Sequence, residues 1–166
     1  MGEAKVGEEF IKHEFDEAIA IQQCIVDAES KLSSAHPVAS AKKAIKSALT
    51  ADEKYLKQLK TLGKAHDATG EVEDVAAGLT ELMLSTLETA TSERNDSDFY
   101  EAHAVLLNLK RKQWDSAGGM LSIARDQKDT ELRDAAKAFQ TAQKDTSAAL
   151  TKELAAYAVQ IAGAPA

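Results

Sequence analysis

This chain is defined first by what it has little of. Cys24 is its only cysteine, so no intramolecular disulfide can form and nothing points to an oxidising compartment. A lone cysteine of this kind reads as a small helix-packing residue rather than a reactive thiol. Pro37 and Pro165 are the only prolines, and aromatic residues make up 5% of the chain. Alanine, leucine, lysine and glutamate are plentiful instead, a composition that favours helix throughout. No apolar run is long enough to cross a bilayer, and no signal-peptide h-region occupies Met1–Lys5. Val6 stands where a myristoylation motif wants Ser or Thr. A cytoplasmic location is therefore the expectation. There is no Gly-rich phosphate loop, no nucleophile elbow and no His–Cys spacing that suits nucleophilic catalysis. Nor is there a Glu-x-x-His pair, the spacing with which helical bundles hold two carboxylate-bridged metals. The residues three places before the four histidines are Phe10, Ser33, Gly63 and Tyr100.

What is present is a helical pattern over most of 166 residues, a length that suits one domain with a sizeable core. The net charge of −7 argues against nucleic acid or an anionic membrane as partner. The first helix is expected from about Gly7 to Ser33, its apolar stripe Ile11, Phe15, Ala18, Ile25 and Leu32 keeping three/four spacing. Gln22 and Glu29 share that stripe and are candidate inward polar residues. Pro37 suits the first position of a second helix running to about Lys64, with Ile45, Leu49, Leu56, Leu59 and also Asp52 on its buried face. Gly63 and Gly70 punctuate its end.

A shorter periodic segment spans Val72 to Ala90. A long helix follows from about Phe99 to Asp126, with Phe99, Leu106, Trp114, Ala117, Leu121 and Ala124 inward. Asp126–Thr130 offers cap oxygens for the last helix, about Glu131 to Ile161, which buries Leu132, Ala136, Phe139, Leu150, Tyr157 and Ile161. Residues 1–6 and 162–166 read as frayed tails.

Several stretches carry a family resemblance. Ile21-Gln22-Gln23 is similar to Ala-Glu-Gln-Gln, and the segment from Leu49 to Leu59 is similar to Leu-Glu-Glu-Thr-Glu-x-His-x-x-x-Leu. The segment from Lys112 to Gly118 is similar to Glu-His-Tyr-Glu-x-Ala-Gly. Gln143-Lys144 and the segment from Leu150 to Leu154 are similar to Glu-Lys and Leu-Thr-Glu-Leu. Their order and spacing, over roughly Glu14 to Ala158, resemble the YciE/YciF-type branch of the ferritin-like superfamily. The resemblance implies an all-α, ferritin-like up-down four-helix bundle with an additional short helix between the second and third long helices. It also implies a stress-associated setting and a homodimer.

The departures fall on the metal ligands. Ile21, Tyr55, Lys112-Gln113 and Gln143 stand where the family carries Glu, His, Glu-His and Glu. Hard metal ions need several anionic oxygens with imidazole support, and a remnant set of Asp52, Tyr55, Asp115, Gln143 and Glu29 is thin for iron or manganese. The expectation is no cofactor and a polar network in which Tyr55 and Gln143 donate to the carboxylates. Lys110 is on the inward phase, where it could pair with Asp52 or Glu29, although lysines in such places more often run outward along their own stems. His103 reads as a hydrogen-bonded core residue, and His13, His36 and His66 as terminal or loop residues outside any cluster. The lysines of the second helix, Lys42 to Lys64, read as a solvated face. Gly118-Gly119, at a cost of about 1–2 kcal/mol relative to two alanines, suggests close approach of another helix.

The functional expectation is thus a non-enzymatic interaction or structural module, with Leu79, Leu82 and Met83 as interaction residues and a possible protein partner. Two alternatives are a metal protein with one atypical site around Asp52 and Asp115, and a sensor bundle with an apolar cavity near Trp114.

Overall fold

The computed structural model describes residues 2–165, with side chains from residue 6 onward. It is all-helical, and the described residues contain no strand. Five helices follow one another: α1 (Gly2–Ala35), α2 (Ala39–Gly63), α3 (Val75–Glu93), α4 (Asp96–Asp126) and α5 (Thr130–Ala162), with a 3₁₀ turn at Lys64–His66. α1 begins well before Gly7, so residues 2–6 are helical rather than a tail. The outermost tail positions, Met1 and Ala166, lie outside the described residues. Pro37 lies in the bend before α2 rather than in its first turn.

The later helix starts are set by short polar side chains. Asp74 accepts a hydrogen bond from the Ala76 amide, Asn95 from that of Asp98 and Asp129 from that of Leu132, each satisfying a donor that a helix N-terminus leaves free. Asp96 and Asp98 add negative charge to the first turn of α4, where the helix dipole favours it.

Contacts give the helix directions. Gln22 meets Asp52 while Gly63 approaches Phe15, so α1 and α2 are antiparallel. Asp52–Gln143 and Ser40–Glu153 set α2 against α5 in the same sense. His103–Leu150 and Trp114–Gln140 do so for α4 and α5, and Glu29–Lys110 and Ala18–Gln113 for α1 and α4. α2 and α4 therefore run the same way, and the chain must travel back between them. α3 makes that return, lying along α1 and α4.

The apolar core is divided in two. Ile21, Ile25, Leu32, Ile45, Leu106 and Leu150 belong to one cluster, while Phe15, Tyr55, Leu59, Ala117, Leu132 and Phe139 belong to the other. Along α2, α4 and α5 the changeover from one cluster to the other falls at buried polar residues, Asp52, Lys110 with Gln113, and Gln143; along α1 it falls between Ile19 and Ile21, next to Gln22. Gly118 sits against Gln140, whose amide nitrogen would be 3.2 Å from an added Cβ, whereas Gly119 faces open space.

Candidate functional site

Six buried polar side chains occupy the boundary between the two apolar clusters: Gln22 and Glu29 from α1, Asp52 from α2, Lys110 and Gln113 from α4, and Gln143 from α5. Helical phase places them. Lys110 and Gln113 are one turn from Leu106 and Ala117, and Gln22 and Glu29 are on the stripe of Ile25 and Leu32. The Lys110 ammonium donates to Asp52 Oδ2 at 2.6 Å and to Glu29 Oε1 at 2.8 Å. Asp52 Oδ1 accepts from Gln22 Nε2 at 3.0 Å and from Gln143 Nε2 at 2.7 Å. Gln22 also donates to the Asp52 carbonyl, and Gln113 Nε2 donates to Gln22 Oε1 (3.1 Å) and to the Ala18 carbonyl (2.7 Å). Each of the four long helices, α1, α2, α4 and α5, thus contributes at least one member to a connected network.

Its electrostatics follow from burial. Lys110 is 1% exposed, so it does not run outward. Desolvation works against its charge, yet the two carboxylates outweigh that and hold its pKa above the ordinary lysine value. Burial pushes the Glu29 carboxyl well above the usual carboxylate range; Lys110 draws it back and Asp52 adds to the rise. One ammonium facing two carboxylates is balanced when Glu29 carries a proton, the direction in which its surroundings push it. Glu29 Oε2 and Gln113 Oε1 have no hydrogen-bond partner.

The expected site residues divide between this network and other places. Asp52, Glu29 and Gln143 come together there. Tyr55 is buried one turn from Asp52, but its ring stacks on Phe139 with centroids 3.9 Å apart, and none of the hydrogen bonds to Asp52 comes from it. Asp115 stands on the outer face of α4, exposed and paired with Arg111 at 3.3 Å. It is no partner of Asp52, because five residues along a helix turn the side chain away from the Lys110 face. In α1 the inward polar residue is Gln22, and Ile21 belongs to the apolar core. Trp114 is half-buried and lines none of five surface depressions found between the helices. Of the expected interaction residues, Met83 is core, Leu79 packs against the core and Leu82 is exposed.

The histidines also depart from expectation. His36, next to the bend before α2, is fully buried and packs edge to face against His103, with ring centroids 5.6 Å apart. His103 Nε2 lies 3.0 Å from the Leu150 carbonyl, which assigns the proton to that nitrogen, and His36 Nδ1 accepts from the Val38 amide at 3.1 Å. His36 Nε2–H and His103 Nδ1 are thus a donor and an acceptor, both without partners. Burial pushes His36 down to about 4, with His103 adding to the fall, and burial likewise lowers His103. His66 stacks on Phe15. The α2 lysines Lys43, Lys46, Lys54, Lys57 and Lys60, and Lys64 of the following 3₁₀ turn, are exposed.

The sequence reading met Gln113 only as a replaced ligand and did not place it in the polar network. The signal was available: Leu106 and Ala117 define an inward face that Lys110 and Gln113 complete. A hard-cation centre does not fit the central network, because an ammonium sits between the two carboxylates, holding one oxygen of each, and the remaining members are amides. No family model, curated protein or solved structure matches this chain.

Proposed function

We propose that this chain is a ferritin-like bundle of the YciE/YciF type whose metal centre has been replaced by a lysine-centred polar network. It acts as a non-catalytic, stress-associated structural or interaction module. The observation that carries this reading is the Lys110 ammonium held between Glu29 and Asp52. The surrounding spacing supports it. Di-metal bundles of this superfamily place one carboxylate on each of two helices and a Glu-x-x-His pair on each of the other two. Here Gln22 and Gln143 take the single positions, while Asp52-x-x-Tyr55 and Lys110-x-x-Gln113 keep the paired spacing. A fixed positive charge then does the electrostatic work that a pair of cations would do, without exchange or redox chemistry.

The experiment is elemental mass spectrometry after incubation with ferrous iron and with manganese, comparing the wild type with Glu29→Gln/Asp52→Asn. No stoichiometric metal dependent on Glu29 and Asp52 is expected. Stoichiometric iron or manganese that disappears in the double variant would overturn the reading. A homodimer, which the resemblance implies, would use the face of α3 on which Val75 and Leu82 are exposed. Leu82→Glu should then lower the mass seen by light scattering, and an unchanged mass removes α3 from any interface.

A further inference from the structure

Outside the central network, three side chains converge where the crossover reaches α3. His13 and Glu17 lie one turn apart on α1, and Asp74 is the residue that caps α3. His13 Nε2 is 3.3 Å from Asp74 Oδ2 and 3.6 Å from Glu17 Oε2, and the three ligand atoms all lie within 4.8 Å of one another. Bonds of about 2.0–2.1 Å to a tetrahedral zinc ion imply ligand–ligand separations of about 3.3–3.4 Å, so the two shorter edges are close to those of a coordination tetrahedron.

The carboxylates are also held in place by other work. Asp74 Oδ1 accepts from the Ala76 amide and leaves Oδ2 turned to His13. Glu17 Oε1 is engaged by Lys112 and leaves Oε2 turned to the same imidazole nitrogen. One oxygen of each carboxylate is anchored, and the other faces a shared point. Glu17 is buried, whereas the side chains of His13 and Asp74 are 47% and 45% exposed, leaving one side open to water.

We propose that His13, Glu17 and Asp74 bind one divalent transition-metal ion of the zinc class, with solvent completing the shell. One imidazole and two carboxylates suit a borderline cation better than calcium or magnesium, which take oxygen alone. Its role is structural. Asp16, on the same stretch of α1, already accepts hydrogen bonds from the Thr69 and Gly70 amides at 2.7 and 2.9 Å. A metal at His13 would clamp the far end of the crossover as Asp16 clamps its beginning. Lys112 has two opposed effects: it orients Glu17 and it competes for that carboxylate.

The test is a zinc chloride titration of the tag-free protein against a competing chromophoric chelator, at neutral pH. Saturable one-to-one binding is expected, weakened about tenfold or more in His13→Ala. Asp74→Asn keeps a capping oxygen and should fold as the wild type does while losing a similar factor. His66→Ala, which alters the only other histidine not fully buried, should bind unchanged. Lys112→Met should leave the zinc site occupied at the same stoichiometry. Absence of saturable binding, or binding indifferent to His13→Ala, or a loss in His66→Ala as large as in His13→Ala, would overturn the proposal.

Discussion

Midway along the bundle Lys110 stands between Glu29 and Asp52, and every helix of the four long ones contributes to the surrounding network. Near the bend between α1 and α2, His36 and His103 are equally buried, but their hydrogen-bond partners among the described residues are backbone groups. The first place keeps its charge because carboxylates from two helices face one ammonium. The second has no such counter-charge at hydrogen-bond distance, so both imidazoles are driven towards the neutral form. Equal burial leads to pKa shifts of opposite direction, up for Lys110 and down for the two imidazoles, because the neighbours differ.

The largest effect is expected from removing the charge of the central network. Lys110→Met should destabilise the protein by about 3–5 kcal/mol, since it leaves the Asp52 carboxylate, with the Glu29 carboxyl beside it, buried without a cation. Urea unfolding would measure it. Adding Glu29→Gln and Asp52→Asn to that variant should recover much of the loss. A single variant as stable as the wild type would mean that charge pairing contributes nothing to the network.

Acid separates the two places further. His36 titrates at about 4 in the folded protein against an ordinary value of 6.5, so between those values the unfolded chain binds the extra proton. Its contribution is complete above 6.5 and is lost as the pH falls towards 4, by up to roughly 3 kcal/mol. Because carboxylates also titrate at the acid end, the quantity to follow is the difference between wild type and His36→Phe in urea midpoint from pH 7 to 4.5. The variant should show the shallower fall, and parallel curves would mean that His36 keeps its ordinary titration.

Gly119→Ala touches neither place. An added Cβ there meets nothing within 4 Å, so the variant should gain about 1 kcal/mol from helix propensity alone, read as a higher melting temperature. A loss would reveal a packing demand at Gly119.

Much of the helix pattern was legible because apolar spacing carries it. Phe15, Ala18, Ile25 and Leu32 are buried as read, and so are Gln22 and Glu29 on the same stripe. Asp52 was legible for the same reason. Asp115 was misplaced because it was matched through the Lys112–Gly118 stretch, whereas the phase of Leu106 and Ala117 sends it outward. Helix phase by itself could not decide whether Lys110 runs outward or pairs inward, since that depends on Asp52 arriving from another helix. His36 sits beside Pro37 and so reads as turn; only the packing of Phe99, His103 and Tyr157 around it makes it core. His13 and Asp74 are far apart in the chain, and no local pattern links them.

The split between the two apolar clusters has a consequence for alignment. Leucine and alanine faces can slide past one another at modest cost, since one apolar contact resembles the next. A one-turn slip of α4 along its neighbours would carry Lys110 about 5.4 Å from Glu29 and Asp52 and bring Leu106 or Trp114 towards them. Both carboxylates would then face an apolar side chain in a dry interior. The polar girdle therefore acts as an axial ratchet tooth, fixing how far each long helix is pushed in relative to the others.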